Sequence, residues 1–300
     1  MLKNNTYLAA VSGGPDSMAL LDIYKKQISI VCHVNYHWRI DSDNDEKIVR
    51  QYCKKNKIKC CVLNINPNVY KLEKIKNFEN WARQKRYDFF LDISKKNKIN
   101  KILIGHNLDD FVESVLMQKD RKIFTYFYGI KKINNYSSLK IYRPLINKRK
   151  KELEEYCNIN NINYSIDSTN SDVLYLRNKW RKKISLLTKK EFMQIYKNAI
   201  TYNKKSNRIY SICVKKYNQW KNAGYNVKFF NSINDKKIIF EIIYLLLIEI
   251  SPLRISSNKI NGIIKFIQSN KWHCKYRINR NLTLLKMDQK ITINKIDHLK

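Results

Sequence analysis

The first half of the chain alternates short apolar runs with longer stretches whose apolar residues recur every three or four positions. TYLAAV (6–11), SIVCHV (29–34), KCCVLNI (59–65), KILIG (101–105) and LKIYRPL (139–145) read as strands. Between them, DSMALLDIYKK (16–26), DNDEKIVRQYCKKN (43–56), FENWARQKRYDFFLDISKK (78–96) and LDDFVESVLMQK (108–119) read as amphipathic helices. Apolar strands separated by helices predict an α/β fold: a doubly wound parallel sheet covered on both faces. In such sheets ligands bind outside the carboxyl ends of the strands.

From about residue 187 the pattern changes. Helical stretches at 189–221, 235–250 and 257–269 lead to short strand-like runs, TLLKM and KITINKI. The chain therefore reads as two domains, 1–186 and 187–300, the second smaller and mostly helical. Its greasiest run, IIFEIIYLLLIEI (238–250), is broken by Glu241 and Glu249 and is shorter than the roughly 20 residues that span a bilayer. A buried helix is expected there, and no membrane association.

Charge adds a partner to this picture. Lysine and arginine number 59 against 25 acidic residues, a net charge of +34. The last hundred residues hold 20 basic and five acidic side chains. Such a surplus repels itself, and a polyanion relieves the repulsion; nucleic acid fits best. The seven cysteines form no C-x-x-C pair, which argues against a metal site or a disulfide framework and for reduced thiols in a cytoplasm.

Only six glycines occur in 300 residues, yet Gly13 and Gly14 stand together in SGGPDS, Ser12–Ser17. A strand that ends in this sequence and enters a helix has the design of a phosphate cradle. Glycine lets backbone N–H groups approach an anion, and the helix start adds its positive dipole end. Pro15 suits a first helical turn. Ser12 and Ser17 supply hydroxyls, and Asp16 is placed to hold Mg²⁺. The loop lacks the lysine that a Walker A motif requires. Phosphate binding is the better reading than a plain strand-to-helix turn.

GHNLDDFVES (105–114) is the second candidate. His106, Asp109, Asp110 and Glu113 fall at i, i+3, i+4 and i+7, one stripe of a helix whose other face carries Leu108, Val112, Val115 and Leu116. Clustered carboxylates in an acid-poor chain call for a cation, either Mg²⁺ or a substrate ammonium, and one of them is able to accept a proton. A solvated acidic face at a helix start explains Asp109 and Asp110 but leaves His106 and Glu113 without a role.

Two further stretches carry weaker signals. In FENWARQKRYDFF (78–90), Glu79, Arg83 and Arg86 share a face, either as a surface ion pair or with an arginine reaching a phosphate. In DSTNSDVLYLRNKWRKKI (167–184), Arg177, Lys179, Arg181, Lys182 and Lys183 with Trp180 interleaved are able to follow a phosphate backbone. The histidines of HVNYHWR (33–39) read as structural residues.

Taken together these motifs resemble the tRNA(Ile)-lysidine synthetase family, within the PP-loop, or N-type, ATP pyrophosphatases. The resemblance rests on SGGPDS, HVNYHWR, E-x-x-x-R-x-x-R-Y at 79–87, H-x-x-D-D-x-x-E at 106–113, YRPL at 142–145, and D-x-x-N with R-N-x-x-R across 167–181. Where the family usually reads H-H-G, this chain has Tyr36-His37-Trp38. The resemblance implies ATP and Mg²⁺ as cofactors. It implies free L-lysine and tRNA(Ile) with a CAU anticodon as substrates, joined at C2 of the wobble cytidine through an adenylated tRNA with release of pyrophosphate and AMP. Ser12, Gly13, Gly14, Pro15, Asp16 and Ser17 would hold the β- and γ-phosphates, with Mg²⁺ near Asp16. Asp109, Asp110 and Glu113 would seat the lysine ammonium or a metal. His106 and Arg143 would contact the adenylated intermediate, and Arg83, Arg177, Asn178 and Arg181 the substrate. The basic second domain would bind the tRNA, and a homodimer is left open. A tRNA-thiolating enzyme and a small-molecule amidating synthetase are the alternatives. The first would use cysteine pairs, and the second has no need of a basic second domain.

Overall fold

The computed structural model describes residues 7–38, 41–66, 68–69, 78–121, 125–165, 176–250 and 256–295. The N-terminal part follows the alternation: β1 (Tyr7–Ala10), α1 (Pro15–Tyr24), β2 (Ile28–Asn35), α2 (Ser42–Lys55), β3 (Lys59–Asn64), α3 (Phe78–Asn97), β4 (Lys101–Ile104) and α4 (Leu108–Asp120). It continues with β5 (Ile133–Tyr136), β6 (Leu139–Tyr142), α5 (Lys150–Ile159) and α6 (Leu176–Ser185). The strands form one sheet in the order β3-β2-β1-β4-β6-β5, parallel except for β5, which pairs antiparallel with β6. The α/β reading is therefore correct, with one strand added. Sequence INNY of β5 has no apolar run, because an exposed edge strand buries little.

β1 lies at the centre, with Leu8 and Ala9 fully buried. On one face, Met18, Leu20 and Leu21 of α1 pack with Val49 of α2 and Leu153 of α5; on the other, Tyr87 and Phe90 of α3 pack on Leu8, Ile30 and Ile102. The chain winds outward from β1 to β2 and β3, then crosses back to β4 on the other side of β1. The order reverses between β1 and β4, where a crevice opens at their carboxyl ends.

Two compact units divide the chain at Ile200 and Thr201, a point within α7 (Lys189–Asn222). The second unit contains α8 (Val227–Asn231), α9 (Lys236–Ile250) and α10 (Ser257–Gln268), then an antiparallel sheet of β7 (Cys274–Asn279), β8 (Leu282–Met287) and β9 (Lys290–Lys295). Its core joins Trp220, Phe230, Ile242, Leu246, Ile263 and Leu284. The greasy run is a buried helix here, as expected. Lys286 is fully buried, and its Nζ donates to the carbonyls of Ile267 (2.7 Å) and Ser269, closing the C-terminal end of α10. Among the described residues, no helix is long and apolar enough to cross a membrane. All seven cysteines are free thiols.

Candidate active site at the reversal of strand order

Two loops meet at the reversal. Ser12–Gly14 follows β1, and Gly105–Asn107 follows β4. Gly13 has φ +97°, and a Cβ there would stand 3.0–3.1 Å from Cβ, Cα and O of Asp45 on α2. Only glycine fits this turn. Gly14 differs: a Cβ there would meet nothing closer than Ser12 Oγ at 3.8 Å. Gly105 lets the end of β4 approach α1, since a Cβ there would lie 3.0 Å from the Asp16 carbonyl oxygen. Gly13 and Gly105 are thus needed first for the packing of the loops themselves.

The buried hydroxyl of Ser17 organises the loop. Its Oγ accepts from the N–H groups of Ser12 (3.1 Å) and Gly13 (3.2 Å) and donates to the Gly14 carbonyl (2.9 Å). The backbone N–H of Ser165 closes the far side by donating to the Gly13 carbonyl at 2.9 Å. Gly14 caps α1 without any side-chain hydrogen bond, and Pro15 follows at the first turn. A helix start without a side-chain cap is suited to an anion.

Asp16 is a strongly perturbed acid. Burial, and next the negative charge of Asp110, push its carboxyl up to about 6, against a hydrogen bond from Asn107 and the charge of Lys150. Its Oδ1 is buried and has no hydrogen-bond partner. An orphaned carboxylate oxygen beside a second carboxylate is a hard-oxygen donor set, which suits Mg²⁺ completed by phosphate oxygens. The described residues contain no group of three or more His, Cys, Asp or Glu side chains able to hold a metal alone. Asp16 and Asp110 fit a magnesium ion shared with phosphate oxygens.

The acidic stripe is real, but its members have different duties. Asn107 is the N-cap of α4; its Oδ1 accepts from the Asp110 N–H at 2.9 Å while Asp110 Oδ2 accepts from the Asn107 N–H at 2.9 Å. His106 lies before this cap, off the helix. Asp109 is clasped by Arg149, whose Nε and Nη2 donate at 2.9–3.2 Å, and it accepts from the Lys150 N–H at 2.8 Å. Glu113 is buried and pairs with Arg181 Nε at 3.2 Å. Asp109 and Glu113 therefore each face a protein cation. Arg149 escaped the sequence reading because it sits in a lysine-rich run; only its meeting with Asp109, forty positions away, distinguishes it.

Arg143 is buried rather than open to a ligand. Its Nε donates to His106 Nδ1 at 2.8 Å, and its Nη1 donates to the Lys131 carbonyl (2.8 Å) and to Asn134 Oδ1. Burial lowers its pKa, with Arg83 adding to the effect. Arg83 is exposed on α3, 4.6 Å above the Tyr87 ring. Arg177 and Asn178 lie on α6 with side chains outside the described residues. His33 is buried with Nδ1 2.9 Å from the Val11 carbonyl, and burial lowers its pKa, as a structural residue requires.

Two adjoining cavities share Asp16, Asp110 and Arg181. One, of about 290 Å³, lies over the Ser12–Ser17 loop and reaches Tyr36, Arg86 and His106. The other, of about 530 Å³, holds Asp109, Glu113, Arg149 and Glu154. Glycine-rich loop, uncapped helix start and orphaned carboxylate oxygen together define a protein of the α/β class whose strand-end site suits a phosphate-bearing ligand.

Residues 2–187 match the PP-loop domain family. The chain belongs to it, and within it to the tRNA(Ile)-lysidine synthase family. It is 40% identical over 99% of its length to the tRNA(Ile)-lysidine synthase of Ureaplasma parvum, covering 91% of that protein. With the enzyme of the same name from Malacoplasma penetrans it shares 43% identity over 92% of its own length and 94% of the relative's. Among solved structures, the U34-tRNA thiolase NcsA from Methanococcus maripaludis superposes with a TM-score of 0.56 at 20% identity, over 69% of this chain and 74% of that one. The last likeness concerns the fold alone.

Proposed function

We propose that this chain uses ATP to activate C2 of the wobble cytidine of an isoleucine tRNA with a CAU anticodon and then joins free lysine to it. The observation that carries this is the buried Asp16 Oδ1, without a hydrogen-bond partner, at an uncapped helix start, opening on an acidic cavity, in a chain closely similar to lysidine synthases. In the first half-reaction the C2 oxygen attacks the α-phosphorus of ATP, and pyrophosphate leaves. In the second the ε-amine of lysine attacks C2, loses a proton, and AMP departs with the former C2 oxygen.

The Ser12–Ser17 loop and the start of α1 bind the β- and γ-phosphates. Asp16 and Asp110 would hold Mg²⁺, which when bound offsets the charge of the phosphate oxygens. The larger cavity takes the lysine, with Glu113 and Glu154 around its ammonium; Arg181 pairs with Glu113 until the ammonium enters. His106, fixed by Arg143, donates a hydrogen bond toward the activated nucleotide. The basic C-terminal region, expected from residue 187 onward, binds the tRNA body through its phosphates.

The test supplies ATP, Mg²⁺, labelled lysine and a tRNA(Ile) transcript with a CAU anticodon. Label is expected on the tRNA with equal amounts of AMP and pyrophosphate. AMP formed with no label on the tRNA defeats the lysine assignment. Pyrophosphate released at the same rate without tRNA would favour a small-molecule synthetase.

A further inference from the structure

In the C-terminal unit α10 ends at Gln268, and the chain turns through 269–273 into β7. Trp272 stands in this turn with 43% of its surface exposed. The fully buried Lys286 of β8 places its ammonium 4.7 Å from the centre of the indole. The same ammonium donates to the carbonyls of Ile267 and Ser269, so one lysine fixes both the helix end and the ring. His273 follows at φ +54°, and the Cys274 thiol donates to the Lys271 carbonyl at 3.4 Å. The turn is thus held from within while nearly half of its tryptophan faces solvent.

β7 leaves this turn with two unlike faces. Tyr276 and Ile278 pack on the core of the unit, whereas Lys275 and Arg277 are exposed on the opposite face. Across the ladder Arg277 stands opposite Thr283 and Lys275 opposite Leu285, and these pair in turn with Asn294 and Thr292 of β9. Among the described residues this outer face carries cations, hydroxyls, an amide and one leucine, and no carboxylate. The sequence is equally one-sided: residues 256–295 hold nine lysines and arginines against one acid, Asp288. A lone exposed tryptophan would need no explanation. Here a buried lysine anchors the indole, and it stands two residues before a basic strand face.

We infer that the outer face of the β7–β9 sheet binds RNA, with Lys275 and Arg277 on phosphates and Trp272 stacked on an unpaired base beside them. Cations that follow the phosphates and an aromatic ring that takes a base are how single-stranded nucleic acid is held. A stretch almost without acids suits a polyanion, since nothing on it repels phosphate. RNA fits this face better than a membrane does. Binding in the lipid interface needs a broad apolar face, and here the residues beside the cations are Thr283, Thr292 and Asn294. The inference rests on the proposed tRNA substrate and names side chains of the C-terminal unit that grip it.

The experiment compares full chains of wild type, Trp272→Ala, Trp272→Phe and the double variant Lys275→Gln with Arg277→Gln. The probes are a blunt RNA duplex, the same duplex with a short single-stranded overhang, and phosphatidylserine vesicles. Wild type is expected to bind the overhang duplex about tenfold more tightly than the blunt one. Trp272→Ala should bind the two equally, and Trp272→Phe should keep most of the preference. The double variant should keep the preference but lower the slope of log Kd against log salt by about 1.5. No preference in wild type, a preference that survives Trp272→Ala, or an unchanged salt slope in the double variant overturns the inference. Vesicle binding that depends on Trp272 while RNA binding does not also overturns it, in favour of a membrane. Thermal melts separate these results from loss of fold, because Trp272→Ala uncovers Lys286. If that variant is unfolded, Trp272→Phe against Trp272→Leu decides, and equal preferences overturn the inference. Wild type that shows these RNA contacts but places no lysine on tRNA supports the surface and defeats the underlying reading instead.

Discussion

Arg143 Nε donates to His106 Nδ1 at 2.8 Å, and the arginine is buried. Guanidinium does not give up its proton, so Nδ1 of His106 is the bare nitrogen and Nε2 carries the hydrogen. Arg143→Met should release the tautomer, visible as exchange between the two ring nitrogens in ¹⁵N NMR spectra of the histidine. It should slow turnover and cost about 2–4 kcal/mol in denaturant unfolding, because the Lys131 carbonyl and Asn134 lose their donor. An Arg143→Met protein with the wild-type tautomer would refute the positioning role.

Asp16 makes the fold less stable as it ionises. Its pKa is raised by burial and by Asp110 to about 6, above the 3.8 of an unfolded chain. The folded state therefore holds the proton more tightly, and the penalty is fully present above pH 6 and relieved as pH falls toward 4. Asp16→Asn should gain on the order of 2–3 kcal/mol over wild type at pH 7.5, with the advantage shrinking to nothing near pH 4, in paired urea melts. The same substitution should abolish AMP formation. A pH-independent stability difference would contradict the burial of this charge.

The two loop glycines should behave differently. Gly13→Ala forces a side chain into φ +97° against the Asp45 backbone and should cost about 1–3 kcal/mol. Gly14→Ala meets no atom within 3.7 Å and sits at φ −73°, so it should leave the melting temperature unchanged. Any loss of ATP binding in Gly14→Ala, read by calorimetry, would then report crowding of the ligand rather than of the loop.

Asp109 and Arg149 should be strongly coupled. Asp109→Asn and Arg149→Gln each break a two-pronged pair, and the first also weakens the contact to the Lys150 N–H at the start of α5. A double-mutant cycle on unfolding should return a coupling of roughly 1–2 kcal/mol for this partly exposed pair. If Asp109 held the lysine substrate instead, Asp109→Asn would raise the lysine KM and leave stability almost unchanged.

Local sequence determined a great deal here. Strand and helix periodicities through β4 and α4 follow from side-chain burial every second or every third to fourth residue, which short stretches encode by themselves. The turn at Ser12–Ser17 was legible for the same reason, since its glycines, proline and serines act within one turn. The greasy run of α9 also declared its burial directly. β5 did not, because its polar INNY is held by pairing with β6 rather than by burying its own residues.

Tertiary structure decided which charged groups oppose each other. Nothing in H-x-x-D-D-x-x-E says that Asp109 meets Arg149, that Glu113 meets Arg181, or that Arg143 fixes His106, since each pair joins residues far apart in sequence. The field at Asp16 likewise arises only when β1 and β4 lie side by side and bring Asp110 and Asn107 to it. Residue types and spacing name the groups available to a site. Their protonation and freedom depend on through-space distances that only the fold sets.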